Sequence, residues 1–405
     1  MSRRVLLHVG TPKTGTSHLQ DVLFRNRERL LEAGVLYPAD RFDAHFLAAL
    51  DLMRLPWGGL ETEAIGAWDE LAAKVRAHEG TAIISHEILA TASRSQVGRA
   101  LASLGHDDGT EVHVVVSVRD LVRQIPAEWQ ENVKHRSTIT FERFLAELRD
   151  PERATRIATW FWGVQEIPEI LDRWGHALPP ERVHVVTVPP PGGPRDLLWQ
   201  RFSHTFGLDE LGEVELDLEA ERANPSLGVP ETALLRRINK AVNPVLDPPD
   251  YRPLVRELLA HQTLSARTRS ARLGLPADVH PWAEELGHAW VEELRRRGYD
   301  VVGDLDDLTG APAAPHWADP DSPRESQVAS AAVDAIRALL IDNARLRHDE
   351  ARLHGEVDHL RRELDAARPV QRAKERALRV VRRSAAGRAL HRVYRLARGR
   401  SSRSA

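Results

Sequence analysis

Residues 5–19 read V-L-L-H-V-G-T-P-K-T-G-T-S-H-L. Val5 to Val9 is an apolar run bounded by Gly10, as expected of a buried parallel strand. Gly10, Pro12 and Gly15 then break regular structure and force a tight loop. From Thr16 the pattern turns helical, with Leu19, Val22, Leu23 and Leu30 on one side. Strand, glycine-bearing loop and helix together make a phosphate cradle, because loop amides and the positive helix end point at one spot.

The details of the loop separate two chemistries. Gly10 and Gly15 have the G-x-x-x-x-G spacing of a nucleoside-triphosphate loop, which continues with Lys and then Ser/Thr, the hydroxyl binding Mg²⁺. Here the next pair is Thr16-Ser17, and the lysine stands earlier, at Lys13. A lysine inside the loop can still steady charge that develops on a leaving phosphate. Thr14, Thr16 and Ser17 can add hydroxyl donors.

The string Thr11-Pro12-Lys13-Thr14-Gly15-Thr16-Ser17-His18-Leu19 resembles the 5′-phosphosulfate loop of the sulfotransferase family. The resemblance implies 3′-phosphoadenosine 5′-phosphosulfate as co-substrate and no metal for transfer. It also implies a parallel β-sheet flanked by helices, an α/β fold of the P-loop NTPase-like, sulfotransferase type. Lys13, Thr14, Gly15, Thr16 and Ser17 would then hold the 5′ end, with Lys13 also catalytic.

A second anchor follows the β-branched run 111–118, which ends at Ser117-Val118-Arg119-Asp120-Leu121. This resembles the family's strand-to-helix junction, whose arginine takes the 3′-phosphate through two parallel hydrogen bonds. Arg119 and Ser117 are the matching residues. The family's serine eight positions later is Ala127 here, and Arg123, Gln130 and Ser117 are the side chains available to compensate. Arg222-Ala223-Asn224-Pro225-Ser226-Leu227 resembles the Asn/Ser loop before the C-terminal helices of bacterial sulfotransferase-like proteins. Family members use His or Glu as base. Ser85-His86-Glu87 closes a third strand at 81–85 and offers Glu87 first, then His86, with His45 as a further candidate.

Composition bounds the rest. The chain has 405 residues, 42% of them hydrophobic, enough for a large domain. It contains no cysteine, which excludes disulfides and thiol chemistry and fits a reducing compartment. The apolar stretch behind Met1 is too short for a signal peptide, so the expectation is cytoplasmic. Residues 366–405 hold thirteen Lys/Arg and one acid, net +12, leaving −15 on the other 365. Such asymmetry marks an interaction tail.

Strands at 5–9, 34–38, 81–85, 111–118 and 183–188 alternate with helical stretches at 43–53, 61–78, 121–135, 141–148, 160–174 and 196–206. Alternation of this kind implies a parallel sheet with helices on both faces and a ligand crevice beyond the strands' carboxyl ends. Lys13, Glu87 and Arg119 all fall at such ends. Helices at 230–242, 251–263 and 280–297 follow, and the part at about 225–300 would cover the acceptor.

The expected organisation is an α/β domain at 1–308, a linker at 309–325, a long helix or coiled coil at 326–367, and a basic tail at 368–405. Val328, Ala332, Ile336, Leu339, Leu340, Leu346, Leu353 and Leu360 recur at spacings near three, four and seven. In the tail, Leu378, Val381, Ala385, Val393 and Leu396 alternate with arginines. That pattern suits peripheral contact with the inner face of an anionic membrane, or a disordered basic arm. Self-association through 326–405 is the other partner reading. Nucleic acid is disfavoured, because the body is acidic. Acceptors implied are a glycan, a glycolipid or a small molecule with a hydroxyl or amine. Two further readings stay open: a P-loop nucleotide kinase or NTPase, and a non-catalytic scaffold acting through its coiled coil and basic tail.

Overall fold

The computed structural model describes residues 3–194, 196–212, 214–219, 226–313 and 316–383. Six parallel strands form one sheet: β1 (Arg4–His8), β2 (Val35–Leu36), β3 (Thr81–Ser85), β4 (Glu111–Val118), β5 (Val183–Thr187) and β6 (Asp300–Val302). Their spatial order is β2-β3-β1-β4-β5-β6. Val5 pairs with Ala82 on one side and Val112 on the other, which centres β1 between β3 and β4.

Alternate residues of each strand feed two cores. Val5, Leu7, Ile84, Val112, Val114 and Val185 face the larger one. Leu6, Ile83, Val115 and Val186 face the other, where Leu19, Leu23, Phe202 and Phe206 cover them from the helices Thr16–Arg25 and Leu197–Phe206. Burial on both faces is why these strands read as apolar runs. This is an α/β fold with a parallel sheet between helical layers.

Three expectations change. The stretch 61–78 is two helices, Leu60–Glu63 and Ala67–Ala77, because Gly66 adopts φ 84 between them. The stretch 160–174 is also two, Arg156–Gln165 and Ile167–Gly175. Pro168 lies in the first turn of the second, where its missing N–H is harmless, and Glu166 leaves helical geometry. The segment after Gly298 supplies the sixth strand, with Val185 opposite Val301. The helices Val229–Val242, Arg252–Thr263 (π-helical) and His280–Arg297 follow the expected positions.

By contacts the chain divides between Ala335 and Ile336. The expected linker is strapped to the first unit: Trp317 Nε1 donates to Gly274 O at 2.9 Å and the Glu142 amide to Asp321 at 2.9 Å. The first turns of the helix Glu325–Arg383 bury Val328, Ala331 and Ala335. The first unit therefore runs past 308. The second unit, from Ile336, is helical as far as Arg383. Ala385, Val393 and Leu396 of the tail's apolar and arginine pattern lie outside the described residues, as do Arg222 to Pro225. Among the described residues no helix is long and apolar enough to cross a membrane.

Candidate active site

The loop after β1 is held against both neighbouring strand ends. Gly10 has φ 109, and a Cβ there would lie 2.8 Å from the Glu87 carbonyl oxygen and 3.0 Å from its Cα. Only glycine permits that approach. On the other side the Thr11 amide donates to Ser117 O at 2.7 Å, and the Ser117 amide donates to Gly10 O at 2.5 Å. Lys13 sits at φ 64 and Gly15 at φ 89, so the loop curls through left-handed backbone before the helix. As N-cap, Gly15 has no side chain to occupy the first-turn amides. A Cβ at Gly15 would meet Leu198 Cδ2 at 2.7 Å, so Leu198 covers that point of the loop.

A buried polar line runs beneath the loop. His8 Nδ1 meets Ser85 Oγ at 2.7 Å and His8 Nε2 meets Ser117 Oγ at 2.9 Å. Ser117 Oγ meets Thr14 Oγ1 at 2.6 Å, and that hydroxyl also bonds Thr11 O. Burial pushes the His8 imidazole down to about 4, against the pull of Glu87. The hydroxyls of Thr14 and Ser117, both candidates for the cofactor, are thus occupied inside the fold. Thr16 is buried, while Ser17 is half-buried at the helix start.

The Lys13 ammonium donates to the carboxylate of Glu131, from the helix Leu121–Lys134. Glu131 also meets His135 Nε2 at 3.1 Å and Arg256 at 3.4 Å. Burial alone would raise Glu131, but the His135 bond and the charges of Lys13 and Lys134 outweigh it, holding the carboxyl well below the usual range. One turn back, burial pushes Glu128 up to about 7 against the attraction of Lys13. Its carboxylate accepts from Gln165 Nε2 at 3.1 Å, and Gln165 in turn accepts from Gln124, which also donates to Pro12 O. Burial likewise draws the Lys134 ammonium down to about 8.

Arg119 emerges from β4 into this region. One terminal nitrogen donates to Arg123 O at 2.9 Å. Its Nε is buried without a hydrogen-bond partner among the described residues, an orphan donor of the kind a ligand satisfies. Burial lowers the guanidinium to about 10 despite Asp120. The compensating side chains are committed elsewhere. Arg123 binds Asp120 and the Pro189 carbonyl, Gln130 is pinned to both backbone groups of Leu227, and Ser117 lies in the buried line.

Glu87 accepts from Gln20 Nε2 at 2.9 Å. Burial raises it, but His86 and the Gln20 bond prevail, so it is held ionised below the ordinary carboxylate value. His86 Nδ1 accepts from the Ile88 amide at 3.3 Å, and its ring lies 5.1 Å from Phe46. His45, the further candidate base, lies inside the fold. It is 3% exposed, accepts the Ser85 amide at 3.2 Å, packs 4.3 Å from Tyr37, and is driven by burial down to about 3.

Lys13, Glu87 and Arg119 thus come from the ends of three adjacent strands. Sequence reasoning missed His8, Gln124, Glu128, Glu131 and Arg256. Gln124, Glu128, Glu131 and His135 are spaced four, three and four apart, a polar stripe along one helix face that was open to reading.

No family model matches the sequence, and no curated protein matches it. Among solved structures, the crystal structure of a sulfotransferase from Alicyclobacillus acidocaldarius aligns with 62% of this chain and 94% of its own, at 19% identity and a TM-score of 0.36. The fold class stands on the strand order and not on that likeness.

Proposed function

We propose that the chain transfers a sulfuryl group from 3′-phosphoadenosine 5′-phosphosulfate to a hydroxyl or amine of a glycan, glycolipid or small-molecule acceptor. The observation that carries this reading is the packing of one glycine-hinged loop between Glu87, just past the end of β3, and Ser117 of β4, the two strands that flank β1. The strand order reverses between β1 and β4, the position at which open parallel sheets bind their ligands.

In this reading the first-turn amides after Gly15 take the 5′-phosphate, and Arg119 takes the 3′-phosphate with its unsatisfied Nε–H. Glu87, ionised and set beside the loop, accepts the acceptor's proton as its oxygen or nitrogen attacks sulfur. The bond from sulfur to the bridging oxygen breaks, and Lys13 steadies the negative charge left on the phosphate. The product is 3′,5′-bisphosphoadenosine. Lys13 must exchange Glu131 for the phosphate to do this. The helical part at about 225–300 covers the acceptor.

Calorimetry with 3′,5′-bisphosphoadenosine in EDTA, on wild type and Lys13→Ala, tests the reading. Wild type is expected to bind, and the variant to bind at least about tenfold more weakly. No binding by wild type favours the scaffold. Binding only of a triphosphate with Mg²⁺ favours the NTPase.

A further inference from the structure

Among the described residues, the second unit carries an exposed apolar seam. From Ile336 the exposed side chains Leu339, Leu346, Leu353 and Leu360 recur every seven residues, which sets them at heptad position d. Position a, three residues before each d, then holds Ile336, Asn343, Glu350 and Val357, with Leu364 following. The seven apolar members are each 41–55% exposed on the helix Glu325–Arg383. An isolated helix gains little by presenting such a stripe to water.

The flanking charges say what covers the stripe. Position g is acidic throughout, as Asp342, Asp349, Glu356 and Glu363. Position e is basic over the same span, as Arg347, His354, Arg361 and Arg368. In a parallel pair each g faces the e five residues on in the partner helix. That sets Asp342, Asp349, Glu356 and Glu363 against Arg347, His354, Arg361 and Arg368 of a second copy. In an antiparallel pair g would meet g and e would meet e, acid on acid and base on base. β-Branched residues at a with leucine at d favour two strands, and Asn343 at a fixes register.

We infer that this helix pairs, parallel and in register, with the same helix of a second copy of the chain. The g acids also touch their own helix: Asp342 meets Arg345 at 2.7 Å, Asp349 meets Arg352 at 3.5 Å, and Glu356 meets Arg352 at 3.8 Å. Glu363 meets His359 at 3.5 Å. These exposed contacts are weak and compatible with a second cation across the seam. Ile341, at the outer f position, takes no part.

The test is the mass of the full chain in solution by light scattering. Wild type is expected at twice the 45.4 kDa of one chain. Replacing Arg347, His354, Arg361 and Arg368 together by Glu should weaken pairing at least about a hundredfold. Mixing that variant with one bearing Lys at Asp342, Asp349, Glu356 and Glu363 should restore a one-to-one dimer. Ile336→Cys, in a chain without other cysteine, should cross-link copies on mild oxidation, since parallel register brings the two thiols together. A monomeric or trimeric wild type overturns the inference. So does a dimer indifferent to the charge reversal, or one that Ile336→Cys fails to cross-link.

Discussion

Glu131 holds the Lys13 ammonium across 118 residues of sequence, and the Arg256 guanidinium and the His135 imidazole share the same carboxylate. An anion entering the loop has to displace this acid from the lysine. Glu131→Gln keeps the shape and removes the competing charge. Its affinity for 3′,5′-bisphosphoadenosine is expected to rise about three- to tenfold, read by calorimetry. Folding stability is expected to fall by about 1–3 kcal/mol, because Lys13, Arg256 and His135 lose a charged acceptor. Unchanged or weaker binding would mean that Lys13 never leaves Glu131.

Arg119 differs from Arg123 in what it lacks. Arg123 is saturated by Asp120 and strand-end carbonyls, whereas Arg119 Nε is buried and unsatisfied. Arg119→Ala is expected to cost about ten- to a hundredfold in affinity for 3′,5′-bisphosphoadenosine and nothing for adenosine 5′-monophosphate. Arg119→Lys is not expected to restore it, since an ammonium cannot offer two parallel donors. Equal loss for both nucleotides would move Arg119 away from the 3′-phosphate.

Acid should loosen the fold through His8. Its folded-state value of about 4 lies below the ordinary 6.5, so between those limits the unfolded chain binds more protons. Stability is therefore intact above pH 6.5 and is lost as pH falls toward 4. At 1.36 kcal/mol per unit the His8 share of that loss is about 2 kcal/mol at pH 5. His45, driven to about 3, acts in the same direction. Urea midpoints at pH 7 and pH 5 measure the total. His8→Gln keeps bonding capacity toward Ser85 and Ser117 and should shrink the pH-dependent drop by about 2 kcal/mol. An undiminished drop in that variant would contradict a neutral, buried His8.

What the sequence discloses follows from how each feature is encoded. β1 and β4 are buried on both faces, so burial itself wrote them as apolar runs. β6 is a three-residue edge strand with only two valines, too short for any period to show. The helix breaks at Gly66 and Pro168 were written in single residues inside otherwise continuous apolar stripes. In the site, Lys13 was legible because loop chemistry is local. Its partner was not, since Glu131 is chosen by the packing of a helix on a distant strand end. Burial also demoted His45, and no spacing rule reveals which face of β3 a neighbouring imidazole lies on.

The approach of Gly10 to Glu87 ties folding and site together, and it can be separated from glycine's backbone effect alone. Gly34 also adopts positive φ, at 82, but a Cβ there meets nothing within 4 Å. Gly34→Ala should therefore cost only the left-handed conformation, about 1 kcal/mol. Gly10→Ala adds a clash with a backbone carbonyl that no rotamer change relieves, so its cost is expected to exceed that of Gly34→Ala by at least about 2 kcal/mol in urea unfolding. Because Glu87 must shift to make room, nucleotide-dependent transfer should fall with it, while Gly34→Ala keeps full activity. Equal costs for the two variants would mean that the loop does not rest on Glu87, and the proposed placement of the base beside the phosphate cradle would go with it.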